Sequence, residues 1–324
     1  VNFQAVYEQY RGQLEQVERL LRDQSRSKQM ELSQASEQLL AAGGKRIRPL
    51  FALICGTVGN LSSPVDEDVA KIAAALEMTH MATLVHDDVI DRANLRRGQP
   101  TVRSAYGNLA AMYAGDYLFA RAIQLLAEVD HPRVHRDMST GIVRLCQGEI
   151  EQIQDFFNWG QSIRRYLRRI ERKTALLISL SCGLGALVGG GGENEVRALT
   201  WYGHLTGMAF QIIDDILDFT GNSHVIGKPV GGDLRQGNLT LPALLAAQHP
   251  DYGPRLREIV KPGMSDPDVR EAIHIVTESG ALNQARVIAD RYIDKAVAAL
   301  TRVQRPEVNR QLQVLTSFVA ERSF

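Results

Sequence analysis

Apolar residues recur at helical spacing along nearly the whole chain. Val6, Tyr10, Leu14, Val17 and Leu21 fall three or four positions apart, the period that turns one face of an α-helix toward a core. No stretch alternates strictly between apolar and polar residues, so no half-buried strand is predicted. Ser63-Pro64-Val65-Asp66 reads as a helix start, with a capping serine, proline at the first helical position and an acid in the first turn. Asp266-Pro267-Asp268 repeats that signal. Breaks fall at 42–44, 60–64, 98–100, 130–132, 189–192, 221–242 and 261–263. None is a long Pro/Ser-rich linker, and composition does not change across any of them. The expected architecture is therefore all-α, a single helical domain over residues 1–324. The segment 221–242, with Gly227, Pro229, Gly231, Gly232 and Gly237, is too long for a simple turn and is expected to be a loop that acts as a lid.

Within this helical pattern two acidic runs stand out: Asp87-Asp88-Val89-Ile90-Asp91 and Asp214-Asp215-Ile216-Leu217-Asp218. Each is a DDxxD pattern inside an apolar stretch. Residues four apart share a helix face, so Asp87 aligns with Asp91 and Asp214 with Asp218. Like charges at that spacing repel, and apolar neighbours raise their desolvation cost. A strongly positive group among them relieves both penalties. Oxygen-only donors point to a hard cation, and Mg²⁺ takes a few carboxylates plus substrate phosphates.

Basic residues lie close by in sequence. Lys45 and Arg48 sit three apart in Gly43-Gly44-Lys45-Arg46-Ile47-Arg48-Pro49, Arg96 and Arg97 follow the first acidic run, and Lys173-Thr174 closes a basic stretch. Lys228 lies in the glycine-rich segment. Cations beside metal-binding carboxylates suit two diphosphates, one held through metal and one by direct hydrogen bonds. Arg164, Arg165, Arg168, Arg169 and Arg172 are expected to form a solvated helix face.

Composition narrows the setting. The 324 residues are 44% hydrophobic, ample for a large core, and Lys+Arg equals Asp+Glu at 37 each. No global basic field invites nucleic acid. Cys55, Cys146 and Cys182 lack metal-ligand spacing and are expected to be buried small side chains in a reducing compartment. The first residues show no signal segment, and the apolar stretch 174–188 is too short and interrupted to span a bilayer. A cytoplasmic protein with at most transient contact to a membrane surface is expected.

These motifs resemble, in kind and order, those of the trans-isoprenyl diphosphate synthases. The resemblance runs from Gly43–Pro49 through residues 80–91 (HxxxxxHDDxxD), 95–98 (LRRG), Arg172-Lys173-Thr174, residues 210–218 (FQxxDDxxD) and Gly227-Lys228-Pro229 to the C-terminal tail. It implies an isoprenoid-synthase-type helical bundle around a deep central cavity. It also implies successive head-to-tail condensation of isopentenyl diphosphate onto an allylic diphosphate. Asp87, Asp88, Asp91, Lys173, Asp214 and Lys228 become the catalytic group, with Asp87, Asp91 and Asp214 holding three Mg²⁺ ions. Asp88, Asp215 and Asp218 support them. Arg96, Lys173, Thr174, Gln211 and Lys228 contact the allylic diphosphate, and Lys45, Arg48, His80 and Arg97 bind isopentenyl diphosphate. Segment 221–242 and the region of Arg322 close over the site and exclude water. Phrases such as Gly148-Glu149-Ile150-Glu151-Gln152 and Asp233-Leu234-Arg235-Gln236-Gly237-Asn238 resemble catalytic subunits of two-component long-chain members. That implies a homodimer or a heterodimer with a small non-catalytic subunit, and a seven-unit product for the menaquinone side chain. Arg92, Asn238 and Ser223-His224 depart from patterns common in the family.

Positions 79, 82 and 83 lie four to eight residues before Asp87, about 6 to 12 Å down a helix axis. Short-chain members place an aromatic near Ala82. Here Thr79, Ala82 and Thr83 are small, so the resemblance implies an open tunnel and a long product. Two other readings stand beside this one. A class I terpene cyclase shares the first acidic motif but not the second DDxxD or the Lys45/Arg48 pair. A non-catalytic regulatory subunit has no use for the intact acids.

Overall fold

A computed structural model describes residues 2–41, 43–59, 67–96, 98–220 and 230–321. Regular structure among them is helical, apart from one two-residue ladder in which Leu95–Arg96 pairs antiparallel with Gln99–Pro100. The helical period thus carries through to the fold. Packing divides the chain into two compact units: Val1–Thr140, Leu177–Gly203 and Ala299–Leu315 form the first, and Gly141–Leu176, His204–Ala298 and Thr316–Phe324 the second.

The first unit is organised on the helix Glu67–Ile90, whose buried residues run from Val69 and Ile72 through Leu76 and Met78 to Val85 on nearly every side. An all-round apolar surface is what a central helix needs. Helices Arg11–Ser25, Ile47–Cys55 and Asn108–Ala127 pack on it. Small residues make the close approaches possible. A Cβ on Gly115 would lie 2.2 Å from His86 Nε2, and one on Gly189 would lie 2.0 Å from the Gly56 carbonyl oxygen. Tyr202 packs edge-on to Phe51 at 6.1 Å and donates its hydroxyl to the Leu312 carbonyl at 2.8 Å. Cys55 and Cys182 are buried, as expected, and burial together with their mutual contact pushes the Cys182 thiol well up. Cys146 is exposed, against expectation, because it falls on the outer side of the helix Pro132–Gln154.

The second unit buries Tyr166, Ile212, Leu234, Leu239, Leu241, Leu256 and Val276 in one core, with Phe157, Trp159 and Phe210 packed against it. None of the described helices is long and apolar enough to cross a membrane.

Three details differ from the sequence-based expectation. The helix expected from Val6 to Leu21 breaks into Phe3–Gln9 and Arg11–Ser25. Tyr10 adopts φ −102°, ψ 10°, and its hydroxyl donates to Gln311 Oε1 at 2.9 Å. The start at Asp266-Pro267-Asp268 is real, but its cap is Ser265, which forms a reciprocal capping box with Asp268. Segment 221–242 is not wholly a loop: Gly232–Gln236 is a short helix and Leu241–Ala246 begins the next. The Ser63 helix start and residues 221–229 lie outside the described residues.

Candidate active site

The first acidic run ends the helix Glu67–Ile90. Asp91 N–H donates to the Asp87 carbonyl at 2.8 Å, Arg92 N–H to Val89 at 3.3 Å, and Ala93 N–H to Asp88 at 2.9 Å. These are the paired bonds of a Schellman stop, with Arg92 in the left-handed region at φ 51°. Asp87, Asp88 and Asp91 therefore occupy the final turn and cap, where the helix dipole is negative and acids are disfavoured. Asp88 is 2% exposed and takes a forked pair from Arg96, with Nε at 3.0 and 3.1 Å and Nη2 at 2.8 Å. Asp87 and Asp91 are half-buried on the adjoining face.

Upstream on the same helix, the Thr79 hydroxyl donates to Ala75 O at 2.8 Å and that of Thr83 to His80 O at 2.7 Å. Their polar atoms are satisfied within the helix. Thr79 and Ala82 are fully covered and Thr83 nearly so. His86, given no role by the sequence, donates from Nε2 to the Met112 carbonyl at 3.1 Å and lies 3.4 Å from Asp116. In the 43–49 run Lys45 is exposed and Arg48 half-buried. Arg46, at φ 46°, turns inward, contacts Glu18 and reaches Glu77 Oε1 at 3.2 Å.

In the second unit, Lys173 and Thr174 lie on a π-helical turn, Glu171–Ala175. Such single wide turns are frequent at functional sites. Arg144 pairs with Glu171 (2.6 Å), Arg172 with Glu151 (2.7 Å) and Lys173 with Glu149 (2.9 Å). Glu149 and Glu151 carried no chemical signal in the sequence beyond a family phrase. The Thr174 hydroxyl donates to Gln211 Oε1 at 2.6 Å, Gln211 Nε2 to Asp215 Oδ1 at 2.8 Å, and the Tyr166 hydroxyl to Asp215 Oδ2 at 2.5 Å. Burial and the nearby Asp233 push the Asp215 carboxyl up to about 8, against the hydrogen bonds from Tyr166 and Gln211. Asp214 is exposed and Asp218 half-buried.

The solvated-face expectation fails at Arg169, which is 2% exposed. It binds Asp155 Oδ2 (3.1 Å), Gln161 Oε1 (2.8 Å) and the Leu239 carbonyl (3.0 Å). Arg165 also engages Asp155, and Arg172 engages Glu151. Charge period alone hides this, because the acceptors come from residues distant in sequence. Arg97 and Lys228 lie outside the described residues.

The donor chemistry fits a hard divalent cation. Each acidic run sets two carboxylates one turn apart, and the first is placed where the helix dipole calls for positive charge. Among the described residues no three acids, imidazoles or thiols form a ready cage. Mg²⁺ ordinarily draws on one or two carboxylates together with substrate phosphates.

The described helices thus present two acidic turns, each able to offer carboxylates to a hard cation that also takes phosphate oxygens. The chain belongs to the polyprenyl synthetase family, whose model matches residues 29–276. It is 42% identical over 327 residues to heptaprenyl diphosphate synthase component 2 of Bacillus subtilis, covering 100% of this chain and 92% of that protein. The Geobacillus stearothermophilus protein of the same name is 43% identical, with 100% of both covered. The crystal structure of heptaprenyl diphosphate synthase from Staphylococcus aureus matches with TM-score 0.92 at 39% identity, over 97% of this chain and 98% of that one. A Caulobacter crescentus polyprenyl synthase complexed with calcium and isoprenyl diphosphate matches with TM-score 0.93 at 32% identity, over 99% and 98%.

Proposed function

We propose that this prenyltransferase is a long-chain trans-polyprenyl diphosphate synthase that adds isopentenyl diphosphate repeatedly to an allylic primer such as farnesyl diphosphate. The product proposed is heptaprenyl diphosphate, destined for the menaquinone side chain. The observation that carries this reading is the second acidic turn. A cyclase needs one diphosphate site, whereas a paired DDxxD with separate basic residues provides for two diphosphates.

Asp87, Asp91 and Asp214 would hold the magnesium, three ions in all. Bound magnesium supplies positive charge that stabilises the departing diphosphate. Lys173, Thr174, Gln211, Arg96 and Lys228 orient the allylic diphosphate, and Lys45, Arg48, His80 and Arg97 hold isopentenyl diphosphate. The allylic C–O bond breaks with its electron pair leaving on diphosphate. The isopentenyl double bond then attacks the allylic carbon, and a proton passes to the released diphosphate. Small side chains at Thr79, Ala82 and Thr83 leave room for a long growing chain, and segment 221–242 with the region of Arg322 excludes water from it.

Residues 1–324 act as one catalytic domain in the cytoplasm, visiting membrane surfaces for product release. The name component 2, borne by the Bacillus and Geobacillus relatives, supports a partner component. Exposed Leu109, Tyr113 and Ile123 on the helix Asn108–Ala127 support burial in a homodimer or heterodimer.

The test incubates the purified chain with Mg²⁺, farnesyl diphosphate and isopentenyl diphosphate, with and without a co-expressed small subunit. Mass spectrometry is expected to find a seven-unit product; no product in either arm overturns the reading. Ala82→Phe is expected to shorten the product, and an unchanged length refutes the role of that wall.

A further inference from the structure

We infer that Arg169 is a positioning residue that holds the second acidic turn in place through two chains of contacts. The inference rests on the reading of Asp214 to Asp218 as a magnesium–diphosphate site. Arg169 is buried beside Asp155, itself 0% exposed, and charges buried this deeply carry a large desolvation cost. An apolar pair of similar volume would serve core packing alone at least as well. What an apolar pair cannot do is reach out to fixed acceptors in several directions.

The first chain leads to Asp218. Arg169 Nη2 donates to the Leu239 carbonyl at 3.0 Å and lies 3.5 Å from Asn238 Oδ1. Asn238 Nδ2 donates to Asp233 Oδ1 at 3.1 Å, and Asp233 N–H donates to Asp218 Oδ2 at 3.2 Å. The Gly231 N–H bonds the Asp218 carbonyl at 2.8 Å, so this stretch touches Asp218 at backbone and side chain. The second chain leads to Asp215. The guanidinium carbon sits 5.6 Å from the Tyr166 ring centre, and Tyr166 donates to Asp215 at 2.5 Å.

An independent strained contact pins the same stretch. Phe157 has φ 56°, rare for an aromatic residue, and its N–H donates to the Gly237 carbonyl at 2.8 Å. Gly237 has φ 84°, and a Cβ there would lie 2.3 Å from the Phe157 ring. Residues 237–239 are therefore clamped from two sides. Outer-shell groups that hold metal-binding carboxylates set affinity without touching the metal.

Two variants separate positioning from folding. Arg169→Lys keeps a cation beside Asp155 but loses the planar fork that serves several acceptors. Asn238→Ala cuts the link to Asp233 and leaves the Arg169–Asp155 pair intact. The probe is inorganic pyrophosphate with MgCl₂, titrated calorimetrically into the full chain, with melting temperature measured in parallel. Each variant is expected to bind about tenfold more weakly, with the Asn238→Ala melting temperature unchanged. KM for the allylic substrate is expected to rise in both, while KM for isopentenyl diphosphate stays constant. Wild-type binding by Asn238→Ala, with Arg169→Lys merely melting earlier, overturns the inference. Asp214→Ala is the control: if it binds the probe as wild type does, the site reading fails and the inference falls with it. If only Asp214→Ala loses binding, the site stands and the role of Arg169 is refuted.

Discussion

At the residue scale, adjacent aspartates do different work. Asp87 and Asp88 are neighbours in sequence, yet about 100° of helical turn carries one toward the half-buried face and the other into the protein. Asp88 meets Arg96, and Asp215 meets Tyr166 and Gln211. Arg96→Ala would leave the Asp88 carboxylate covered and without its forked donor. A loss of about 3 kcal/mol is expected in urea unfolding; a change within error would place the pair among exposed, weak ones. His204 offers a pH test. Burial lowers its pKa below the ordinary 6.5, with Arg144 adding to the effect and Glu171 opposing it. Between the folded value and 6.5 the unfolded chain binds more protons, so this stability is present above 6.5 and lost as pH falls. His204→Gln is expected to flatten the acid side of the stability curve, read from circular-dichroism melts across that window.

At the element scale, the stop after Asp91 and the wide turn at Glu171–Ala175 place the chemistry. Arg92 occupies the left-handed position that glycine prefers. Arg92→Gly is expected to stabilise the helix end by about 1 kcal/mol, measured by denaturant unfolding. A loss of stability instead would mean that the arginine side chain supports the stop. The amphipathic helices are legible from their period, and the helix start near residue 266 from Asp266-Pro267-Asp268, but not its cap at Ser265. The π turn is not legible, because one extra residue in a helical turn leaves the apolar period almost unchanged. Nor is the break at Tyr10, whose hydroxyl bonds to Gln311 near the other end of the chain.

At the scale of the whole molecule, Leu109, Tyr113 and Ile123 are 71%, 60% and 54% exposed along one helix. Scattered apolar residues are ordinary at a surface, but these three share one side of the helix, where the dimer proposed above would cover them. Leu109→Glu with Tyr113→Glu is expected to shift sedimentation toward the monomer without lowering the melting temperature. Unchanged sedimentation of an oligomer would place the contact elsewhere.

The sequence by itself determined the helical class, the two acidic turns and the family, because helical period and motif spacing are local properties of the chain. It also placed the small residues Thr79, Ala82 and Thr83 on the helix that ends at Asp91. Tertiary structure alone decided which charges are buried. Arg169 reads like its four basic neighbours until Asp155, Gln161 and Leu239 surround it, and Arg46 reads like Lys45 until Glu18 and Glu77 receive it. A charge is held inside a protein only by partners, and these partners come from parts of the chain that folding brings together.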